Sequence, residues 1–167
     1  TSERGLAGAF NTNIVRAARR KAEELEAAGK TVRFYIAGKK GRVMKRFYPT
    51  GIVADHDLSA MKTASFDAAR DIADDLIARF KAGEFDVAHL FYARFQSALV
   101  QEPIGAQIIP VAIPEVKGAK ASDATVEYEP SEEAILDDLL PRNVAIQIFR
   151  ALLENAASEQ GSRMTAM

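Results

Sequence analysis

The sequence predicts an α/β domain, a mostly parallel sheet flanked by helices. Two observations predict it. Segments with helical apolar periodicity alternate with short runs of branched and aromatic residues, and glycines punctuate the joints between them. The last third then turns wholly helical.

Thr1 to Gly8 is small, polar and turn-like. A helix follows, with Phe10, Ile14, Ala17, Ala18, Leu25 and Ala28 on one face and Arg16, Arg19, Arg20 and Glu23 turned away. Gly29 is its expected C-terminal cap. Thr31 to Ala37 reads as a strand, rich in branched and aromatic side chains. Turn, helix and strand make most of a βαβ unit whose first strand is missing before Thr1, so the chain is expected to be cut from something longer. Gly38 to Arg42 reads as a basic, flexible turn leading into a short segment through Phe47. Tyr48 to Leu58 reads as loop or edge strand. The next helix is expected over Phe66–Lys81, capped by Ser59 or Ser65 and ended by Gly83. Asp86 to Tyr92 reads as a buried strand, and Ser97–Val100 and Ile104–Ile113 as further strand. Lys117 to Thr125 reads as loop.

In the last third Ser131 is the expected cap, Glu132 and Glu133 suit the positive start of a helix, and Pro141 fits a second helix start or a kink. From Val144 onward Val144, Ala145, Ile146, Ile148, Phe149, Leu152, Leu153, Ala156, Met164 and Met167 cover more than half the helical circumference. A helix packed on one sheet needs an apolar stripe of only about 100° or somewhat more. This helix is therefore expected to bury a second face against another element. It reaches Met167 with no cap, Gly or Pro, so a longer helix is expected to have been truncated there.

Composition narrows the function. The 167 residues suit one compact domain. A net charge of -1 argues against bulk nucleic-acid binding, and the absence of Cys removes disulfides, thiolate metal sites and cysteine nucleophiles. No apolar run approaches a membrane span, and no signal peptide is seen.

Few residues suggest chemistry. Gly5-x-x-Gly8 precedes a helix, where a phosphate loop would sit, but lacks both the dinucleotide glycine pattern and the Lys-Ser/Thr of a P-loop, so a tight turn is expected. Asp55-His56-Asp57 carries ligand types, yet neighbours in an extended segment point to alternate sides, and a solvated loop is expected. His89, alone in an apolar strand, has no carboxylate placed to activate it. No nucleophile elbow surrounds any serine. The pairs Asp74-Asp75 and Asp137-Asp138 read as solvated helix surface. Lys39, Lys40 and Arg42 form a basic turn suited to an acidic partner or lipid headgroups. No catalytic, cofactor-binding or metal residue is assigned.

Four segments carry a resemblance, in order and at matching spacing. Leu152 to Met167, with its run Ser-Glu-Gln-x-x-Arg-Met-x-Ala-Met, resembles the start of the C-terminal helix of the gamma subunit of F-type ATP synthases. Ser2 to Asn11 is similar to that family's Ser-Asp-Arg-Gly-Leu-Cys-Gly-Gly-Phe-Asn turn. Phe95-x-Ser97-x-x-x-Gln101-x-Pro103 and Tyr128-Glu129-Pro130 resemble two further segments. The resemblance implies a Rossmann-like α/β foot domain over residues 1–130, with its first strand missing, and the start of a coiled-coil shaft helix over residues 131–167.

It also implies a non-catalytic rotor without cofactor, turning between the membrane ring of c subunits and the alpha and beta subunits, beside epsilon. Its expected place is the cytoplasmic side of a bacterial inner membrane, or alternatively the matrix side of the mitochondrial one. Glu127, Tyr128, Glu129 and Pro130 are expected near the ring or epsilon, helped by Lys39, Lys40 and Arg42. Val144, Ile148, Phe149, Leu152, Met164 and Met167 are expected to pack the shaft. Ala7 stands where the family commonly has Cys, and the Cys-bearing regulatory insertion of chloroplast forms is missing, so thiol control is not expected. The alternatives from the residues themselves are a nucleotide-binding enzyme using the Gly5–Gly8 turn, and an interaction module pairing through its last helix.

Overall fold

The computed structural model describes residues 1–59, 63–111 and 132–167, with side chains from residue 139 onward in the last stretch. Helix α1 spans Phe10–Ala27, strand β1 Phe34–Ala37, a 3-10 helix Lys39–Arg46, and strand β2 Ile52–His56. Helix α2 spans Phe66–Lys81, strands β3 and β4 Ala88–Phe95 and Gln101–Ile109, and helix α3 Glu132–Ala166.

Local chemistry accounts for the helix ends. The Ser65 hydroxyl accepts from the Ala68 amide and satisfies a donor that α2 leaves orphaned, while Asp67 sits in the positive first turn. Helices α1 and α2 stop alike. Gly29 and Gly83 take left-handed φ of 75° and 73°, and the next amides, Lys30 and Glu84, reach back to the carbonyls of Leu25 and Arg79. Pro141 lies inside α3, and a single helix runs through it, neither restarted nor divided.

The α/β class holds, with its parallel element in β1 and β2. Strands β3 and β4 are antiparallel, in register from Phe95↔Gln101 to Ala88↔Ile109. The reason is the connection. Ser97–Val100, expected as strand, is a tight turn in which the amides of Ser97 and Val100 bond each other's carbonyls and the Ser97 hydroxyl accepts from the Val100 amide. So short a link joins only antiparallel strands.

Alternation along β3 sends side chains to two layers. Leu90 packs on a core of Ala69, Ile72 and Ala73 from α2, Ile108 and Ile109 from β4, and Val144, Ala145 and Ile148 from α3. Phe91 and Ala93 face the other way, onto Ala7, Phe10 and Ile14 at the start of α1. The basic stretch expected as a flexible turn is the 3-10 helix, anchored by buried Gly41 and Met44. No helix among the described residues is long and apolar enough to cross a membrane.

Candidate functional site

Helix α3 has two apolar sides with different fates. Val144, Ala145, Ile148 and Ala151 are buried in the domain, and Phe149 and Leu152 lie half-buried against the same core. On the far side Leu139, Ile146, Leu153 and Met164 are 50%, 51%, 46% and 68% exposed, and Met167 is open to solvent. Leu139, Ile146, Leu153 and Met167 fall on one seven-residue repeat, with Gln160 as its polar member. Such a repeat keeps one seam of a helix facing a partner helix. Of the expected shaft-packing residues, then, Val144 and Ile148 are committed to the domain core, while Met164 and Met167 stand on the free side. Ile146 and Leu153 belong with them, and the seven-residue step was the signal that marked them.

A slot opens beside this helix. The pairs β1–β2 and β3–β4 do not join among the described residues, and each leaves β1 or β3 with an edge that no strand pairs, although side chains of α3 bond the far end of β3 at Ala93 and Phe95. Both strands line a cavity of about 870 Å³. Ile14, Val15, Ala18 and Leu25 of α1 close one side, and Ile72, Leu76, Ile148 and Leu152 of α2 and α3 close the other. The slot therefore lies at the level of the sheet, between two helical layers, with strand edges as its walls. Unpaired edges are templates for another strand.

The basic turn is largely neutralised. Lys39 reaches Glu3 and Asp57 at 3.8 and 3.5 Å, and Arg42 reaches Asp55 and Asp57 at 2.7 and 3.9 Å, with Lys45 also 3.5 Å from Asp55. Lys40 takes no part in that network among the described residues. The same pairs occupy Asp55 and Asp57, and no group able to hold a metal occurs among the described residues. Hydrogen bonds from Ser59, aided by Lys39, pull the Asp57 carboxyl down to about 2. Residues Glu127, Tyr128, Glu129 and Pro130 lie outside the described residues.

The remaining candidates have structural roles. Gly8 takes a left-handed φ of 51° in the turn before α1, and a Cβ there would approach Ala166 at the end of α3. Ala9 caps α1 with no side-chain acceptor. Ser2 is buried below the turn, its amide donating to Asn11 Oδ1 and its hydroxyl exchanging bonds with the Asn11 side chain. Burial and then Lys21 lower the His89 pKa, and no hydrogen bond or ion pair joins that imidazole to a carboxylate among the described residues. Asp75, expected as solvated surface, pairs with Arg79 at 3.2 Å, and its proximity helps raise the pKa of the Tyr35 phenol.

A family model described as ATP synthase matches residues 1–167, the whole chain. The chain belongs to the ATP synthase gamma family. It is 66% identical to the ATP synthase gamma chain of Rhizorhabdus wittichii over 170 residues, covering 100% of this chain and 58% of that relative. It is 56% identical to the gamma chain of Ruegeria pomeroyi, covering 100% of this chain and 57% of the relative. The chain thus spans somewhat over half the length of these gamma chains. Among solved structures, the central stalk and c-ring of the Tetrahymena thermophila mitochondrial ATP synthase holds a chain of like fold, with TM-score 0.77, 24% identity, and coverage of 99% of this chain and 71% of that one. The rotor of the Euglena gracilis mitochondrial enzyme holds another, with TM-score 0.67, 20% identity, and coverage of 99% and 62%.

Proposed function

We propose that this chain is part of the non-catalytic central-stalk subunit of a proton-translocating F-type ATP synthase, carrying torque between the membrane ring of c subunits and the catalytic beta subunits. The observation that carries the reading is the second apolar side of α3, left open along a seven-residue repeat in a member of the gamma family. Relatives much longer than this chain supply the length for a partner helix. Residues 1–130 act as the foot and 131–167 begin the shaft. The slot between β1 and β3 takes a strand that precedes Thr1 in the whole protein and joins the two pairs into one sheet. That occupant is supported by the two unpaired strand edges and by the helical layers on either side.

The partners of the whole subunit are the alpha and beta subunits, through the shaft, and epsilon and the c-ring at the foot. Glu127, Tyr128, Glu129 and Pro130 serve the foot contact, with Lys40 better placed to help than the ion-paired Lys39 and Arg42. The assembly is peripheral to the membrane through the complex, on the cytoplasmic side in a bacterium. Coupling is by shape and stiffness, and no residue of this chain performs chemistry. A pull-down of the whole gamma chain with epsilon and the c-ring tests the reading. Stable association is expected, and its absence would count against it.

A further inference from the structure

In an antiparallel pair, alternate residues bond the partner strand and those between point their amide and carbonyl outward. Ala93 and Phe95 of β3, two apart, both turn to the outer edge, and there they meet α3 instead of a strand. The Ala93 amide donates to Asn155 Oδ1 at 3.3 Å, and the Ser158 hydroxyl donates to the Ala93 carbonyl at 3.1 Å. The Phe95 amide donates to Glu154 Oε2 at 3.2 Å. One turn further along, Ser162 Oγ donates to Gln101 Oε1 at 2.7 Å. The side-chain nitrogen of Gln101 in turn donates to the carbonyls of Ser97 and Ala98, inside the hairpin turn. Gly161 permits this approach, because a Cβ there would stand 3.3 Å from the Ala98 backbone.

Asn155, Ser158 and Ser162 continue the side of α3 that carries Val144, Ile148 and Ala151, at steps of three and four. At the level of the hairpin that side changes from apolar to small and polar. The change matters physically. Apolar packing is non-directional and tolerates small slips. Hydrogen bonds from side chains to fixed backbone atoms hold in one register only. A helix rotated by one residue, or slid by one turn of about 5.4 Å, loses all of them. Ser158 is fully buried and Ala93 nearly so, leaving no water to replace the lost partners.

We infer that Asn155, Ser158 and Ser162 are positioning residues that key the rotation and height of α3 to the β3–β4 hairpin, so that torque passes between foot and shaft without slip. This rests on the rotor reading above. The test uses the whole gamma chain in a reconstituted synthase lacking its own gamma, with Asn155→Leu and Ser158→Ala combined. ATP hydrolysis is expected within twofold of the parent. Protons pumped per ATP hydrolysed are expected to fall at least threefold. A merely structural contribution would lower both together and leave that ratio unchanged, and this result overturns the inference. Should the double variant assemble poorly, Ser162→Ala at the rim of the clamp is read the same way, with a twofold fall in the ratio expected and an unchanged ratio contradicting it. If the parent chain itself fails to restore pumping, the rotor reading falls and takes this inference with it.

Discussion

The ring of Phe149 on α3 meets the ring of Phe66 on α2 edge to face, with centroids 5.7 Å apart and planes at 86°. The contact pins the first turn of α2 to α3, on the side of α3 that faces the domain. Edge-to-face pairs add about 0.5–1.5 kcal/mol beyond the area they bury. A double-mutant cycle of Phe66→Leu and Phe149→Leu, followed by urea unfolding, is expected to return a coupling energy of that size. Additive losses would show that the two rings do not interact.

The Ser65 cap makes a simpler prediction. Ser65→Ala removes the acceptor for the Ala68 amide and is expected to cost about 1 kcal/mol, while Ser65→Asp retains it. The urea midpoint of the two variants separates loss of the cap from any change of side-chain type.

Gly105 lies opposite Phe91 across the hairpin, and a Cβ there would come within 2.6 Å of the ring. Phe91 packs on the Ala7–Phe10–Ile14 cluster, so the ring is not free to yield. Gly105→Ala is expected to destabilise by about 1–3 kcal/mol, the usual cost of overpacking. Gly105→Ala combined with Phe91→Leu is expected to recover part of that loss in the same unfolding assay.

Tyr35 provides a test at high pH. Burial, then the charge and hydrogen bond of Asp75, push its phenol up to about 12 from an ordinary value of 10.0. The folded pKa lies above the unfolded one. Its contribution to stability is therefore fully present below pH 10 and is lost as pH rises through 12. Unfolding measured across that window is expected to show a downward slope that Tyr35→Phe reduces. Tyr48 is also shifted upward, by burial and then by Glu26, so ultraviolet titration should show late tyrosine ionisation in the folded chain that Tyr35→Phe reduces but does not abolish.

Much of this fold is legible in the residues, for local reasons. Helix α2 matches its expected span because an apolar face, a serine cap and a terminal glycine all agree. The exposed second side of α3 is legible because its width exceeds what one sheet can cover. Other features depend on long-range contacts and leave no local mark. Lys39–Arg46 has the basic, glycine-bearing composition of a flexible turn, yet buried Met44 and the ion pairs to Glu3, Asp55 and Asp57 fold it as a 3-10 helix. Ser97–Val100 reads as strand by composition, while its own hydrogen bonds make it a turn and set the antiparallel hairpin. Asn155, Ser158 and Ser162 look like ordinary polar helix residues, and only the position of Ala93 gives them a role. Which of the two apolar sides of α3 the domain covers has no local mark, since both carry side chains of the same kind, Val144 and Ile148 on one and Ile146 and Met164 on the other.

The central claim is that the open side of α3 seats another helix of the same rotor. It is tested most directly by placing Ile146→Glu and Leu153→Glu together in the whole gamma chain and measuring proton-driven ATP synthesis in the reconstituted enzyme. Both side chains are already about half exposed, so the domain itself should tolerate the charges, whereas a helix–helix seam should not. A fall in synthesis of tenfold or more, with the domain still folded by circular dichroism, is the expected result. Synthesis at the parent rate would contradict the account.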